Sequence, residues 1–569
     1  MKKVKAVECK FIMHKPAVKV DGRTLVPDLH FIKEKIQYED GEYELKLRVL
    51  ENYKRPYWVT QPNKRQHKQF KECEDIGNLL QFEATESDLK DDLIKKLYNV
   101  PMPTYREYRK LKECPYVYGT DINSRVFIKK KYMQAYPDAF TNYTLCTFDI
   151  ETDIDTDEVL LISIAMEDRV FTTISKKFID RIDNPIKKLN KLFEDNIPIK
   201  GYYKPEYLIV EEEIELFTKV MERVHQWKPD WLAVWNIDFD FPKMMALCEK
   251  YGVDIADIIS EPSLPKEYKY CIYKRSQDAN VSASGVRKNT DIQNKWNIVY
   301  APAHFHWIDA MAAYAAKRTN TKKLPNGYGL DSVLDFTLGE KFKKLKFNHL
   351  MDITYTGPDY HRYMVKNHPL EYIVYNQWDV ISMLELDKVT TDLQISLPVL
   401  SEASPFDIFN SMPKKLVNVL FYEYLEDGKI IGNKMPVKVK VDEEEIDILD
   451  LTDWIITLPN KYLTEKNGRC VILEIPGLKT NIRLFVCDCD QFSGYPSNLE
   501  EANVSKYTTK AEISSIGDIP EEVFKKENIN IMFGVVNQMQ YCQNMMNFPS
   551  LEKLEEEFIK IAKELRVMQ

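Results

Sequence analysis

The order of apolar and polar residues in the middle of the chain predicts alternating strands and helices. Short, nearly continuous apolar runs predict buried strands at 145–151, 159–166 and 231–235. Apolar residues three and four positions apart predict helices over 214–227 and 370–388. We therefore expect an α/β fold in this region, with a mixed α+β organisation of several domains over the whole chain.

The two ends of the chain carry weaker patterns. Alternation of apolar and charged residues predicts strands at 45–50 and 437–441, and a helical repeat predicts a helix over 414–426. The segment 551–568 places its apolar residues on one narrow seam, which predicts a helix. That seam would pack either on its own domain or on a partner chain.

The composition is that of a large folded protein without a membrane or secretory segment. The 569 residues include 44% hydrophobic and 29% charged residues. This mixture excludes a disordered chain and suits about three or four domains. The net charge of −9 argues against a purely electrostatic nucleic-acid binder, although local basic patches can still bind nucleic acid. No apolar run approaches the ~20 residues of a membrane helix, and none follows the basic start as in a signal peptide. Because the ten cysteines show no metal-binding spacing, we expect reduced thiols in the cytoplasm.

Two acidic residues close the first of the buried strands. Asp149 and Glu151 are two positions apart, so their side chains lie on the same face of the strand. Two carboxylates on one buried face repel each other unless a cation lies between them. The pair therefore indicates a metal site; a strand end that simply reaches water is the alternative.

A second group of polar residues follows the third apolar run. Asn236, Phe239 and Asp240 stand where a neighbouring strand or helix start could bring an acid to the same site. Asp238 is a rival for Asp240 at this position.

A third pair lies inside the helix predicted over 370–388. Tyr375 and Asp379 are four positions apart and share one helical face. The apolar neighbours of Asp379 predict that it is buried, and a buried Asp needs a partner or a metal. The Tyr375 hydroxyl is then placed to hold a water beside that metal.

The three groups, in this order, resemble the three exonuclease motifs of family B DNA polymerases. Asp-x-Glu, Asn-x-x-Phe-Asp and Tyr-x-x-x-Asp follow one another within about 140–395, and residues 372–380 are similar to the third motif of bacteriophage replicative polymerases. Many members have three residues between the Asn and the Phe-Asp of the second motif, whereas this chain has two, Ile237 and Asp238. Asp238 therefore stays open as an alternative to Asp240.

The resemblance implies a ribonuclease-H-like domain with a mixed sheet and 3′–5′ exonuclease activity. Two Mg²⁺ ions about 3.5–4 Å apart would be held by four acids and would hydrolyse the terminal phosphodiester of a single-stranded 3′ end of DNA. The implied metal ligands are Asp149, Glu151, Asp240 and Asp379. Tyr375 would orient the attacking water. The implied DNA contacts are Asn236, Phe239 and Lys344; for Lys344 the alternative is an ordinary surface lysine.

A second resemblance lies near the end of the sequence. Residues 490–497 are similar to the first polymerase motif of family B, with Gly494 in place of the usual Leu. This implies that Asp490 binds the Mg²⁺ ions of polymerisation, and that Ser493 and Tyr495 bind the incoming nucleotide. The later motifs, Lys-x-x-x-Asn-Ser and Asp-Thr-Asp, do not occur in 498–569.

The resemblance also predicts how the chain is divided. It implies an N-terminal β-rich domain (1–140, rejoined by 396–467), an exonuclease domain (141–395) and a partial palm with a C-terminal helix (468–569). The implied function is the N-terminal part of a DNA-directed DNA polymerase with proofreading, whose fingers, remaining palm and thumb come from a second polypeptide. The expected partners are primer–template DNA, that second chain and a sliding clamp, in the host cytoplasm if the protein is viral. A free-standing 3′–5′ exonuclease and a non-catalytic DNA-binding scaffold are the alternatives.

A polar segment inside the exonuclease region predicts a β-hairpin. Residues 276–294 are rich in Ser, Asn, Asp and Lys, and the flanking stretches 268–274 and 296–300 can pair. In the polymerases that the chain resembles, such a protruding hairpin helps to separate the primer end from the template. The basic residues expected near its tip are Lys274, Arg275, Arg287 and Lys288.

Overall fold

The computed structural model describes most of the first 433 residues and four strands beyond them. The described residues are 2–21, 23–67, 71, 73–97, 114–277, 279–281, 287–318, 324, 327–351, 353, 355–394, 412–433, 438–441, 444–447, 461–466 and 469–474. The chain divides into two compact units, Met1–Met435 and Pro436–Gln569.

The described residues contain twelve α-helices and twenty-four strands, numbered here in chain order. The strands of the first unit are β1 (Val4–Lys15), β2 (Val18–Val20), β3 (Arg23–Val26), β4 (Leu29–Tyr38), β5 (Tyr43–Glu51), β6 (Arg55–Thr60), β7 (Cys73–Asp75), β8 (Leu79–Ala84), β9 (Val117–Tyr118), β10 (Leu145–Thr152), β11 (Val159–Met166), β12 (Arg169–Ser175), β13 (Lys204–Val210), β14 (Trp231–Val234), β15 (Ile272–Lys274), β16 (Ala279–Val281), β17 (Arg287–Asn289), β18 (Ile298–Tyr300), β19 (His306–Asp309) and β20 (Lys429–Ile431). The helices are α1 (Leu89–Lys96), α2 (Ser124–Ala135), α3 (Lys176–Ile179), α4 (Pro185–Asn196), α5 (Glu213–Trp227), α6 (Ile237–Lys250), α7 (Ile255–Ile259), α8 (Ala310–Ala316), α9 (Leu330–Leu338), α10 (Pro358–Asn367), α11 (Pro369–Thr390) and α12 (Met412–Glu426).

A mixed six-stranded sheet forms the centre of the first unit. Its strand order is β13-β12-β11-β10-β14-β19. β10, β11 and β12 pair antiparallel in sequence order, whereas β14 runs parallel to β10 and β19 runs parallel to β14. Because β10 and β14 are parallel neighbours, their carboxyl ends lie at the same edge of the sheet.

Apolar residues cover both faces of this sheet. One core contains side chains of α4, α8, α9 and α11, and the other contains side chains of α5 and α6. Leu145 of β10 belongs to the first core, and Cys146, Phe148 and Ile150 belong to the second. This alternation is the two-residue period of a strand that is buried on both faces.

The helix α11 is buried on nearly all sides. It begins with Pro369 in its first turn, where a missing N–H costs nothing, and it ends at Thr391, whose φ of 55° is left-handed. Almost every residue from Leu370 to Leu384 is buried. A helix that is apolar all round belongs inside a protein, so the polar residues among its side chains need an explanation.

The N-terminal strands form separate sheets that pack beside the central one. β1, β4 and β5 make a three-stranded antiparallel sheet, and β8, β6 and β9 make another. The fully buried Lys33 of β4 lies 2.7 Å from Asp230, which precedes β14. Lys33 also donates to the carbonyls of Lys228 and Pro229 at 2.9 and 2.7 Å. Because its donors are satisfied, the buried charge is tolerated, and it joins the first sheet to the central sheet.

Residues 412–433 return to the N-terminal strands. β20 pairs antiparallel with β7, and Phe421 of α12 packs against Trp58 and Phe127. The Asn433 side chain accepts from the backbone N–H of Thr120 at 3.1 Å. In the second unit, β21 (Lys438–Val441) pairs with β22 (Glu444–Asp447), and β23 (Lys461–Lys466) pairs with β24 (Arg469–Glu474). The domain limits expected from the sequence stay a prediction.

The strands and helices expected from periodicity are confirmed wherever they fall on described residues. The apolar runs form β10, β11 and β14, the helical repeats form α5, α11 and α12, and the alternating stretches form β5 and β21. β15 pairs antiparallel with β18, as expected of the hairpin, and β16 pairs with β17 inside it. The fold is therefore mixed α/β. Among the described helices, none is long and apolar enough to cross a membrane.

Several expectations fall on residues outside the described ones. They are Asp490, Ser493, Tyr495, most of the expected palm at 468–569, and the expected helix over 551–568.

Candidate metal centre

Asp149 and Glu151 lie on the face of the central sheet that α11 covers. They share this face with Thr147, because alternate residues of a strand point to the same side. The Thr147 hydroxyl donates to the carbonyl of Val380 in α11 at 2.8 Å. The two carboxyl groups therefore emerge beside the buried helix, at the carboxyl end of β10.

A stripe of polar side chains on α11 meets these two acids. Its members, spaced three and four positions apart, are Tyr372, Tyr375, Asn376 and Asp379. The Asn376 side-chain N–H donates to Asp149 Oδ2 at 2.6 Å, and the Tyr372 hydroxyl donates to Glu151 Oε2. These two contacts hold both carboxylates in fixed orientations.

Sequence reasoning assigned no role to Tyr372, Asn376 or His361. The sequence does contain a signal for Tyr372 and Asn376, because polar residues that form a stripe on an otherwise apolar helix indicate a face that contacts polar groups. His361 of α10 lies 2.7 Å from the Tyr372 hydroxyl through Nδ1, and 3.9 Å from Glu151. Nothing in the sequence pattern around His361 indicates this contact.

Lys344 reaches into the site from the loop after α9. Its ammonium donates to Asp379 Oδ2 at 2.6 Å and to the Tyr375 hydroxyl at 3.1 Å. Its backbone N–H donates to Asp331 at 3.0 Å, which fixes the loop. Lys344 is therefore not an ordinary surface lysine, because its charged end contacts two of the residues that the motifs singled out.

The two acids at the start of α6 point in different directions. Asp240 is 4% exposed and its Oδ1 has no hydrogen-bond partner. Asp238 instead accepts from the Tyr273 hydroxyl at 2.8 Å, and its two oxygens lie 2.8 and 2.9 Å from Arg275 Nε. Asp240 thus faces the acid cluster, whereas Asp238 anchors the β15–β18 hairpin to α6.

The acids form one electrostatic cluster. Ligand atoms of Asp149, Glu151 and Asp379 lie within 4.8 Å of one another. Burial raises the pKa of Asp149 well above its usual range, and the charges of Asp240, Asp379 and Glu151 raise it further. Burial followed by the charge of Glu151 raises the pKa of Asp240 in the same way. These mutual effects bring Asp240 into the same group as the other three acids.

The balance of charge in the cluster favours a further cation. Burial raises the pKa of Glu151 to about 7 and raises that of Asp379, although Lys344 opposes both shifts. Burial alone would lower the pKa of Lys344, but Asp379, Tyr375 and Asp149 outweigh it and raise that pKa well above its usual range. One ammonium thus faces four carboxyl groups.

Two residues expected to contact DNA stand at the start of α6, which also carries Asp240. Phe239 in the first turn of α6 is 57% exposed, and the Lys243 amine lies 5.2 Å from the centre of its ring. Asn236 occupies the N-cap position of α6, but its side chain makes no capping hydrogen bond. An exposed aromatic ring and a half-buried amide therefore lie close to Asp240 in the chain.

The pKa of Glu151 predicts that magnesium stabilises the protein more at higher pH. In the folded protein the pKa of Glu151 is about 7, against an ordinary value of 4.5, so the carboxyl group binds its proton more strongly than in the unfolded chain. Its contribution to folding is therefore lost as pH rises through this interval. Magnesium would bind the carboxylates in their ionised form, so the rise in Tm that it causes should grow between about pH 5 and about pH 8.

The comparison is between melting curves with magnesium and with chelator at each pH. Asp309, whose pKa burial raises to about 7, titrates in the same interval in both conditions and cancels in the difference. The double variant Asp149→Asn, Glu151→Gln should show no such growth. An equal magnesium effect at both ends of the pH range in the unaltered protein would contradict the prediction.

Comparisons with known proteins identify no relative: no protein-family model matches the chain, and a search of curated proteins found no match.

Proposed function

We propose that the Met1–Met435 unit is a metal-dependent 3′–5′ exonuclease that removes nucleotides from single-stranded 3′ ends of DNA. The observation that carries this proposal is the meeting of the half-buried Asp149 and Glu151 of β10 with the buried Asp379 of α11, next to which the buried Asp240 of α6 adds its charge. The motifs quoted from the sequence supply the substrate class. The proposal includes a ribonuclease-H-like arrangement of the domain, which the mixed sheet with β10 at its centre supports.

The donor set of the cluster fits magnesium. All four ligands are carboxylate oxygens, which Mg²⁺ prefers over softer metals. Asp240 Oδ1 and Asp379 Oδ1 are buried and have no hydrogen-bond partner, so each has a free coordination position. The residues that would hold the ions are Asp149, Glu151, Asp240 and Asp379. When bound, magnesium would activate a water molecule and stabilise the charge on the departing 3′ oxygen.

The residues around the acids prepare the site for a phosphodiester. Asn376 and Tyr372 hold Asp149 and Glu151 in place before substrate arrives, which removes a cost of reorganisation. The Tyr375 oxygen accepts from Lys344, which directs its own proton toward Asp379 and toward a water held beside that carboxylate. The Lys344 side chain is 23% exposed, and its ammonium is placed to neutralise a phosphate oxygen.

Phe239 and Asn236 would receive the end of the DNA strand. Because more than half of the Phe239 side chain is exposed to water, the ring stabilises the fold little. It offers a face on which a base of the DNA can stack. The uncommitted Asn236 amide can donate to a base or a sugar.

The test of the activity is digestion of a 5′-labelled single strand by the purified chain. The proposal expects stepwise shortening from the 3′ end in magnesium, release of nucleoside monophosphates, and no digestion in chelator. Binding of single-stranded DNA without any shortening in magnesium would favour the alternative of a non-catalytic scaffold.

The hairpin should matter for duplex ends and little for single strands. Its base is fixed through Tyr273 and Arg275 to Asp238 at the start of α6, the helix that also carries Asp240. Arg275 therefore serves this anchor and is not a tip residue, while the Lys274 amine lies 5.6 Å from the Tyr300 ring centre. The side chains of Arg287 and Lys288 are outside the described part of the hairpin.

We expect deletion of residues 277–290 to slow digestion of duplex ends while single-strand digestion stays near normal. The deleted part includes β16 and β17, whereas the anchored base stays in place. Rates on a single strand and on a blunt duplex of the same sequence provide the measurement. Equal losses on both substrates would argue against a role in strand separation.

We further propose that the exonuclease serves a DNA polymerase and that a second polypeptide works with it in polymerisation. Support comes from the sequence alone, namely the motif around Asp490. The 569-residue chain by itself should not extend a primer, because polymerisation needs metal-binding acids from two palm strands.

The assay is primer extension with nucleotides and magnesium, first with the chain alone and then with a polypeptide that carries the missing motifs. Extension by the chain alone, abolished by Asp490→Ala, would show that the site is already complete. No extension with such a polypeptide would favour a free-standing exonuclease.

A further inference from the structure

A second group of metal-ligating side chains lies in the N-terminal sheet, apart from the four acids. His14 near the end of β1 stands opposite His30 in the antiparallel pairing with β4, and Asp28 lies in the turn before β4. The two imidazole rings stack with centres 4.6 Å apart. One ligand atom from each of the three residues lies within 4.8 Å of the other two.

His30 has a buried nitrogen that points at this group and has no hydrogen-bond partner. Its side chain is fully buried, and Nδ1 lies 3.7 Å from Asp28 Oδ1, too far for a hydrogen bond. The same Asp28 oxygen lies 2.9 Å from His14 Nε2. A buried polar atom without a partner destabilises the fold, and a cation held between Nδ1 and the carboxylate would remove that cost.

Neighbouring residues fix the orientation of the group. Asp28 Oδ2 accepts from the Ser87 hydroxyl at 2.6 Å and from its backbone N–H at 3.0 Å, which turns Oδ1 toward the two imidazoles. His30 Nε2 lies 2.7 Å from the Ser124 hydroxyl. When Ser124 accepts the proton of Nε2, the lone pair of Nδ1 faces Asp28. Such outer contacts are typical of built metal sites.

We infer that His14 Nε2, His30 Nδ1 and Asp28 Oδ1 bind a zinc ion. Two imidazoles and a carboxylate suit zinc, whose bonds to nitrogen and oxygen are about 2.0–2.2 Å long. In a tetrahedron of such bonds neighbouring ligand atoms are about 3.3–3.5 Å apart. The observed separations of 2.9 and 3.7 Å lie on either side of this value, so small side-chain shifts would complete the site.

The surroundings allow both entry and binding. The His14 side chain is 18% exposed, which leaves a path from solvent and a position for water as the fourth ligand. The Ser124 hydroxyl beside His30 Nε2 leaves Nδ1 as the nitrogen available to the ion. An ion here would connect β1 and β4 with the segments that carry Ser87 and Ser124, and so stabilise the N-terminal region.

Cobalt(II) substitution tests this site without any assay of activity. The chain carries Asp149→Ala and Glu151→Ala to weaken the acid cluster, is dialysed against chelator, and is titrated with Co²⁺. We expect one tightly bound equivalent with the strong visible absorption of tetrahedral cobalt, its displacement by Zn²⁺, and a higher Tm with Zn²⁺. Absence of this absorption would overturn the inference, whatever the variants below show.

Substitutions then assign the signal to the three residues. His14→Gln keeps a polar contact to Asp28 and should weaken cobalt binding at least about 100-fold, whereas Ser87→Ala should weaken it about 10–100-fold. His349→Gln, which removes an exposed histidine outside both clusters, is the matched control and should change nothing. Circular dichroism checks that each variant folds. Unchanged binding in both His14→Gln and Ser87→Ala would place the metal elsewhere and overturn the assignment.

Discussion

Replacement of Asp149 and Glu151 together by alanine should reduce hydrolysis of single-stranded 3′ ends by several orders of magnitude. The two residues supply half of the carboxyl groups in the cluster, and the remaining acids would hold metal poorly. Folding should survive, because removal of clustered like charges relieves repulsion that burial intensifies. The measurement is the initial rate of shortening of a labelled single strand at saturating magnesium.

A matched double variant separates loss of the site from loss of surface charge. Glu167→Ala with Asp168→Ala removes the same two charges from the turn between β11 and β12. That turn lies beyond Met166, near the start of β10 and away from the carboxyl end where Asp149 and Glu151 lie. Asp168 pairs with the exposed Lys204, and water screens such a surface ion pair so that its loss changes stability little. The control should digest DNA normally; an unchanged rate in the Asp149, Glu151 variant would disprove the assignment of the site.

Asp240→Asn should also cost at least two orders of magnitude in the nuclease rate, whereas Asp238→Asn should leave single-strand digestion close to normal. The two substitutions are chemically identical and only two positions apart. Asp240 is buried beside Glu151, so the amide would remove a ligand and place a donor among carboxylates. Asp238 contacts Tyr273 and Arg275, so its loss should loosen the hairpin instead.

Digestion rates on a single strand and on a blunt duplex of the same sequence distinguish the two variants. Asp238→Asn should slow digestion of duplex ends more than that of single strands, while Asp240→Asn should affect both equally. Melting temperatures of both variants show whether either change acts through stability. If Asp238→Asn lowered the rate of single-strand digestion more than Asp240→Asn, Asp238 would be the metal ligand and this assignment would be wrong.

The third motif shows which features of the structure can be predicted from neighbouring residues alone. The helical repeat over 370–388 predicted α11 within two residues at each end, and the four-residue spacing of Tyr375 and Asp379 placed both on one face. These are properties of neighbouring residues on one helix. The partners of that face were not predictable in the same way, because Asn376 and Asp149, which form a hydrogen bond, are 227 positions apart.

The positions of Lys344 and of the two acids of the second motif could not be predicted from neighbouring residues. The sequence allowed Lys344 to be a surface residue, and it allowed either Asp238 or Asp240 to face the acids. The answer came from how the loop after α9 packs on α11, and from how the start of α6 meets both the sheet edge and the hairpin.

The sequence by itself determined the order of strands and helices in the central region, the pairing of the hairpin stretches, and the candidate acids. Periodicity of apolar residues reflects backbone geometry, which neighbouring residues set. Only the tertiary structure decided that Asp240 is buried where its charge acts on Asp149 and Glu151. It also decided that Tyr372 and Asn376 hold Glu151 and Asp149, and that His14, Asp28 and His30 meet in the N-terminal sheet. These contacts depend on the packing of elements far apart in the chain, where burial and charge act over distances in space and leave no periodic signal in the sequence.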